Sequence, residues 1–235
     1  MTYERNLRKI PKKMNEFPIQ KVIRQRKSIR DFKPEPVPKE LIEKIIEAGI
    51  WAPSNSNRQP WEFIVVTGNK LKELNEKLRE ALEIGKSSKR ELKTWDDAYP
   101  RPKEGERRSR ELMKGMLEYA QKAGLKPQEF IKRNFSFFGA PVVIVVLMEK
   151  GYGYGSLVSV GACIENMLLQ AWELGLGTCW MMIPLEYGDV FRELFEIPED
   201  KYLVSTIALG YASDSPINEF RSTRDPIEKF IKWYE

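Results

Sequence analysis

Histidine is absent from all 235 residues, and cysteine occurs only as Cys163 and Cys179, with no Cys-x-x-Cys spacing. Without imidazoles or clustered thiols, the usual zinc sites and the histidine-dependent hydrolytic triads lack their ligands and their base. No metal site is expected, and the two thiols are expected to be free. Long apolar runs are missing too. The nearest to a membrane span, Leu157 to Leu176, carries Glu165, Asn166, Gln170 and Glu173, which lipid would not tolerate well, so it reads as a buried helix. Met1 to Lys13 is polar and basic with no apolar core of a signal peptide. A cytoplasmic protein without a membrane partner is expected. Internal repeats and low-complexity tracts are also lacking.

What is present suits a folded chain. Hydrophobic residues at 42% and aromatics at 11% exclude disorder, while 31% charged residues imply a heavily ionised surface. A net charge of +5, from 39 basic and 34 acidic residues, is mild for a nucleic-acid binder and suits a protein that handles phosphorylated cofactors. No nucleic-acid partner is expected. The basic tract Arg107-Arg108-Ser109-Arg110 is flanked by Glu104, Glu106 and Glu111 and reads as a solvated helix face.

Periodicity outlines the elements. Leu41, Ile42, Ile45, Ile46 and Ile50 recur at helical spacing, and Phe63 to Val66 is a short β-prone run. Val142 to Met148 is unbroken apolar sequence, expected of a strand covered on both faces. Residues 184–195 predict a helix, and Tyr202 to Leu209 predicts a strand. Helices and strands alternating irregularly indicate an α+β sandwich. The whole of 1–235 reads as one domain. Residues 85–133 differ in texture, rich in Lys, Arg and Glu with Trp95 and Tyr99, then a helical pattern through Leu112, Met116, Tyr119 and Ala120; this stretch reads as an insertion.

Two polar segments stand out. Ala52-Pro53-Ser54-Asn55-Ser56-Asn57-Arg58-Gln59-Pro60-Trp61 concentrates amides and hydroxyls between a helix and a strand, with a proline stiffening each end. Such groups suit a heteroaromatic ring edge or a sugar chain, although each residue alone also suits turn chemistry. Trp61 alone reads as core. Upstream, Arg26-Lys27-Ser28-Ile29-Arg30-Asp31-Phe32 offers guanidinium forks that match phosphate oxygens. Gly151-Tyr152-Gly153-Tyr154-Gly155 superficially copies a dinucleotide-binding turn, but Ser156 stands where the third glycine belongs, so it reads as a flexible or substrate-facing loop.

Taken together, the two segments resemble the nitroreductase family, flavin mononucleotide (FMN) enzymes with an Arg-x-Ser-x-Arg/Lys segment and a Pro-Ser-x-x-Asn-x-Gln-Pro-Trp segment. Gly175-Leu176-Gly177-Thr178-Cys179, then Leu209-Gly210-Tyr211 and Arg224-Asp225-Pro226, extend the resemblance over about residues 20–235. Asn134-Phe135-Ser136-Phe137-Phe138-Gly139-Ala140-Pro141, closing the insertion, is similar to the branch of nitrobenzoate and other nitroaromatic reductases.

The resemblance implies a nitroreductase-like sandwich with a central, mostly antiparallel sheet flanked by helices, in an intertwined homodimer whose flavin sites use both chains. The helix at 156–176 would lie in that interface or be an ordinary core helix. Arg26, Lys27, Ser28 and Arg30 match positions that bind the flavin phosphate and ribityl chain, and Arg224 matches an arginine of the tail that reaches the phosphate; Arg221 either assists or lies on the surface. Pro53, Ser54, Asn55 and Asn57 match the loop that the partner subunit lays along the flavin, while Gln59 and Trp61 brace that loop. Thr178, Met181 and Met182 belong to the stretch that presents backbone groups to the flavin ring, where Cys179-Trp180-Met181-Met182 departs from the family's common pattern; Glu186 is a candidate for the family's acidic residue near the ring. Trp95, Tyr99, Phe135 and Phe137 are candidates to wall the substrate pocket, with core packing as the alternative.

The implied activity is hydride transfer from NADPH or NADH through FMN to a nitroaromatic or related electrophilic small molecule, in ping-pong turnover, with the flavin and no side chain carrying the chemistry. A same-fold flavin enzyme with another substrate, such as halotyrosine dehalogenation, and a non-catalytic flavin- or nucleotide-binding module are the alternatives.

Overall fold

The computed structural model describes residues 18–88, 91–92 and 101–235. Four strands form one sheet: β1 (Trp61–Thr67), β2 (Val142–Glu149), β3 (Gly177–Met181) and β4 (Lys201–Gly210), in the spatial order β1-β2-β4-β3 with every neighbouring pair antiparallel. Among the described residues seven α-helices accompany them: α1 (Pro18–Gln25), α2 (Lys39–Ile50), α3 (Gly68–Glu83), α4 (Lys103–Lys122), α5 (Pro127–Lys132), α6 (Tyr154–Glu173) and α7 (Gly188–Phe195). The architecture is the expected α+β sandwich.

Strand β2 shows why two layers form. Its side chains alternate between faces, and every residue from Val142 to Met148 is buried. Val143, Val145 and Leu147 pack with apolar residues of α3, α4, α5 and α7, among them Leu74, Met116, Phe130 and Phe191. Val142, Ile144, Val146 and Met148 pack on the opposite side with Ile42 and Ile45 of α2 and Val160, Ile164 and Met167 of α6. Both faces of the sheet are thus covered, which is why this strand is apolar throughout.

Helix α6 runs two residues earlier than its apolar pattern suggests and stops sooner, because Gly175 adopts a left-handed conformation (φ 77°) just beyond it. The Gly175 N–H donates to the Trp172 carbonyl (3.1 Å) and the Leu176 N–H to the Ala171 carbonyl (2.8 Å), the paired bonds of a Schellman ending. The helix expected at 184–195 is split: Ile183–Tyr187 is a 3₁₀ turn, and α7 begins only at Gly188. Tyr187, at φ −108° and ψ 51°, leaves helical geometry, and its buried ring lies 5.3 Å from that of Phe135. Helix α4 carries Met116 and Ala120 into the core. Helix α3, with Leu71, Leu74, Leu78 and Ala81 inward, is an element that local periodicity around the flanking segments had not brought out.

Candidate functional site

Between α1 and α2 the chain from Arg26 to Arg30 runs along the edge of β3 that does not face β4. Ser28 forms a parallel bridge with Thr178, and the Ile29 N–H donates to the Thr178 carbonyl at 2.9 Å. Gly177 makes this approach possible: a Cβ there would lie 2.5 Å from Ile29 Cγ1. The Gly-x-Gly of residues 175–177 therefore has two separate structural duties, ending α6 and admitting the arginine segment.

In an extended segment, alternate residues share a face. Arg26, Ser28 and Arg30 line one cleft of about 530 Å³, together with Arg24, Leu112, Glu165, Phe220, Arg221, Ser222 and Arg224. Ile29 lines a second cleft of about 600 Å³ beside Trp172, Asp214 and Asn218, and Lys27 reaches the walls of both. Arginines distant in the chain are thus gathered about one cavity. Arg26 Nε faces the Glu165 carboxylate at 3.4 Å as an ion pair, yet is buried without a hydrogen-bond partner. Among the described residues Arg224 Nη1 donates to its neighbours, Ser222 Oγ and the Thr223 carbonyl, both at 2.9 Å. Arg221 Nη1 donates to the Gln25 carbonyl at 2.8 Å, closing the C-terminal end of α1. A cavity with this donor set and an orphaned guanidinium nitrogen fits a phosphomonoester.

The main chain at Arg30 is set by a buried network. Asn218 Oδ1 accepts from the Arg30 N–H (2.8 Å), while its Nδ2 donates to the carbonyls of Asp31 (2.7 Å) and Ser213 (3.0 Å). Asp31 in turn accepts from Arg133 Nη2 (2.6 Å) and Ser213 Oγ (2.5 Å). Neither Asn218 nor Asp31 signalled a role in the sequence, because the bonds that join them to each other's segment and to Arg133 span more than a hundred residues.

Thr178 and Met181 are buried in β3, and Met182 follows it, half-buried. The Met181 carbonyl is held from the inside by Ser205 Oγ (3.1 Å) and Thr206 Oγ1 (2.9 Å), so the strand end that follows the arginine segment is rigid. Both thiols are buried. Burial pushes the Cys163 thiol up to about 12 and raises that of Cys179, which Arg30, Ser28 and Arg26 partly oppose. Neither behaves as a nucleophile near neutral pH.

The loop carrying Pro53, Ser54, Asn55 and Asn57 lies elsewhere, against α6. The Asn55 N–H donates to Ser159 Oγ (3.3 Å), and Gln59 closes the loop through its N–H to Ser54 Oγ (3.0 Å). Ser56, Asn57 and Gln59 all have positive φ, near 50°. Such conformations cost energy in non-glycine residues and persist where the surroundings dictate them. Within one chain this loop does not line the arginine cleft.

Phe135 and Phe137 are 5% and 0% exposed and belong to the core on the α3 side of the sheet, which favours the core alternative for both. Their turn, Arg133–Gly139, folds back through positive φ at Phe137 and Phe138, which drives both rings inward. Arg107 and Arg108 lie on a largely solvated helix face, as expected, and both also pair with Asp225 of the tail. Trp95 and Tyr99 lie outside the described residues. Trp61 is core, and Glu186 sits in the 3₁₀ turn after β3.

The fold and this cleft define an α+β sandwich with arginines from both halves of the chain gathered at one sheet edge. The nitroreductase family model matches residues 23–211, and the chain belongs to that family. It is 31% identical over 215 residues to a 4-nitrobenzoate reductase of Nocardioides sp. (strain LMS-CY), covering 89% of this chain and 87% of that one. It is 29% identical over 218 residues to a chloronitrobenzene nitroreductase of Comamonas testosteroni, covering 90% and 95%. In three dimensions it superposes with a TM-score of 0.83 on the FMN-dependent nitroreductase NfnB of Mycobacterium smegmatis solved with NADPH, at 22% identity and covering 92% of this chain and 97% of that one. Among the described residues no helix is long and apolar enough to cross a membrane.

Proposed function

We propose that this chain is a cytoplasmic, homodimeric reductase that binds FMN, draws reducing equivalents from NADPH or NADH, and reduces nitroaromatic or related electrophilic small molecules. The observation that carries this reading is the convergence of Arg26, Arg30, Arg221 and Arg224 with Ser28 on one cleft at the edge of β3. The names of the relatives, nitrobenzoate and chloronitrobenzene reductases, support the substrate class.

When bound, FMN supplies the two-electron chemistry between a nicotinamide and an electrophile. The arginines would hold its phosphate, with charge-assisted bonds about twice as strong as neutral ones. The Ser28 hydroxyl would serve the polyol chain. Thr178, Met181 and Met182 belong to the adjacent edge, whose rigidity lets backbone dipoles act without reorganising. Pro53, Ser54, Asn55 and Asn57 would come from a second copy, since in their own chain they lie away from the cleft. Tyr154 and Val158, 88% and 74% exposed on α6, offer the apolar surface for that copy.

The test is the visible spectrum of the purified protein, before and after anaerobic NADPH. A flavin spectrum that bleaches and returns on adding 4-nitrobenzoate is the expected result. A protein that takes up no flavin from excess FMN is not a flavoenzyme; one whose flavin NADPH and NADH leave oxidised is a binding module.

A further inference from the structure

The tail segment that brings Arg221 and Arg224 to the cleft has no regular secondary structure between the 3₁₀ turns Pro216–Glu219 and Ile227–Lys229. Its order must therefore come from side chains. Both ends of it are pinned to α4. At one end Phe220 sits over Gly115, so close that a Cβ on Gly115 would lie 2.6 Å from Phe220 Cε2, and its ring packs 5.7 Å from that of Tyr119. At the other end the Asp225 carboxylate accepts from Arg108 Nε (3.0 Å) and Arg107 Nη2 (3.4 Å). Arg107 is itself steadied by Glu104 (3.0 Å) and Glu111 (2.7 Å) on the same helix. Arg108, Leu112, Gly115 and Tyr119 follow one another at spacings of four, three and four, so they form a single stripe on α4. Leu112, in the middle of that stripe, lines the phosphate cleft.

Resting on the flavin reading above, we propose that α4 is the positioning element of the phosphate arm, with Asp225 and Phe220 as positioning residues that hold Arg221 and Arg224 in place for the FMN phosphate. The inserted segment then governs cofactor selectivity, favouring a phosphorylated flavin over its dephosphorylated form. Exposed ion pairs stabilise a fold very little. What they do here is order two long side chains in advance, and each rotamer-rich side chain that need not be ordered on binding lowers the cost of association. Riboflavin, which has no phosphate, gains nothing from this.

The experiment is fluorescence titration of the flavin-stripped protein with FMN and, separately, riboflavin, for the wild type, Asp225→Asn, Phe220→Ala and Arg221→Ala/Arg224→Ala, with melting temperatures of the same samples. Asp225→Asn and Phe220→Ala are expected to raise the Kd for FMN roughly tenfold and leave that for riboflavin unchanged. In the double-arginine background Asp225→Asn is expected to add nothing, because the carboxylate acts through those arginines. Asp225→Asn that melts like the wild type and binds FMN unchanged overturns the proposal, as does weakening of both flavins by the same factor. A wild type that binds FMN no better than riboflavin removes the flavin-phosphate reading itself, and the proposal with it.

Discussion

The carboxamide of Asn218 holds the main chain of Arg30 at 2.8 Å, joining residues 188 apart in the chain. This one side chain, 5% exposed, also binds the carbonyls of Asp31 and Ser213, and so ties the N-terminal arginine segment to the segment that leads into the tail. Its replacement by leucine takes the acceptor from the Arg30 N–H and the donor from the Ser213 carbonyl, while the Asp31 carbonyl keeps the Ser213 N–H. Each such loss costs about 1–3 kcal/mol. Asn218→Leu should lower the urea midpoint by an amount corresponding to roughly 2–4 kcal/mol and weaken FMN binding. A midpoint shift of less than about 0.5 kcal/mol would mean that water replaces the amide without loss.

Gly177 makes a second prediction. Its Cβ would meet Ile29 Cγ1 at 2.5 Å, and Ile29 is packed in the core and has little room to yield. Gly177→Ala should destabilise the protein by about 1–3 kcal/mol, the usual cost of overpacking. It should also displace Ser28 from Thr178 and raise the Kd for FMN. Thermal melts and flavin titration on the same variant separate the two effects, and an unchanged Tm would show that the segment can shift freely.

The exposed face of α6 tests the proposed dimer. Val158→Asp puts an uncompensated charge into an interface that needs apolar contact, a penalty of several kcal/mol if the residue becomes buried. Sedimentation is expected to show a dimer for the wild type and a shift toward monomer for the variant, with loss of flavin. A variant that stays dimeric would place the interface elsewhere.

Alkaline pH should act through the buried thiols. The Cys163 thiol is pushed up to about 12 by burial, whereas an unfolded cysteine ionises near 8.5. The folded state therefore keeps a proton that the unfolded state has lost. The contribution is fully present below about 8.5 and falls away as pH rises toward 12. Cys179 and Tyr187, both raised first by burial, and Lys86, raised by its bond to Asp189, act in the same direction. The urea midpoint should fall between pH 9 and 11, and more gently in Cys163→Ala. Native protein should also resist iodoacetamide at pH 8. Rapid labelling of either cysteine under those conditions would contradict the burial.

Much of the fold is legible in local pattern. The apolar run at 142–148 shows a strand covered on both faces, and the isoleucines of 41–50 show α2, because period and burial are properties of neighbouring residues. The arginine segment is legible for the same reason: alternation puts Arg26, Ser28 and Arg30 on one side. The stretch expected to be an insertion is the contrast. Arg107 and Arg108 have the local look of a charged helix face, and nothing near them announces Asp225. Phe135 and Phe137 suit pocket or core by residue type, and only the positive-φ turn that carries them, with their burial, favours core.

By itself the sequence determined the element types, the chemistry of the arginine and amide segments, and the absence of imidazole and clustered-thiol chemistry, since these depend on residue identity and on spacings within a few turns of chain. Only the tertiary structure decided that Arg221 and Arg224 share a cleft with Arg26 and Arg30, that Asn218 secures it, and that α4 braces the tail. Those relationships join residues more than a hundred positions apart. They exist because an antiparallel sheet covered on both faces brings the segment after α1 and the segment after β4 to one edge, and no local rule encodes which distant side chains meet there.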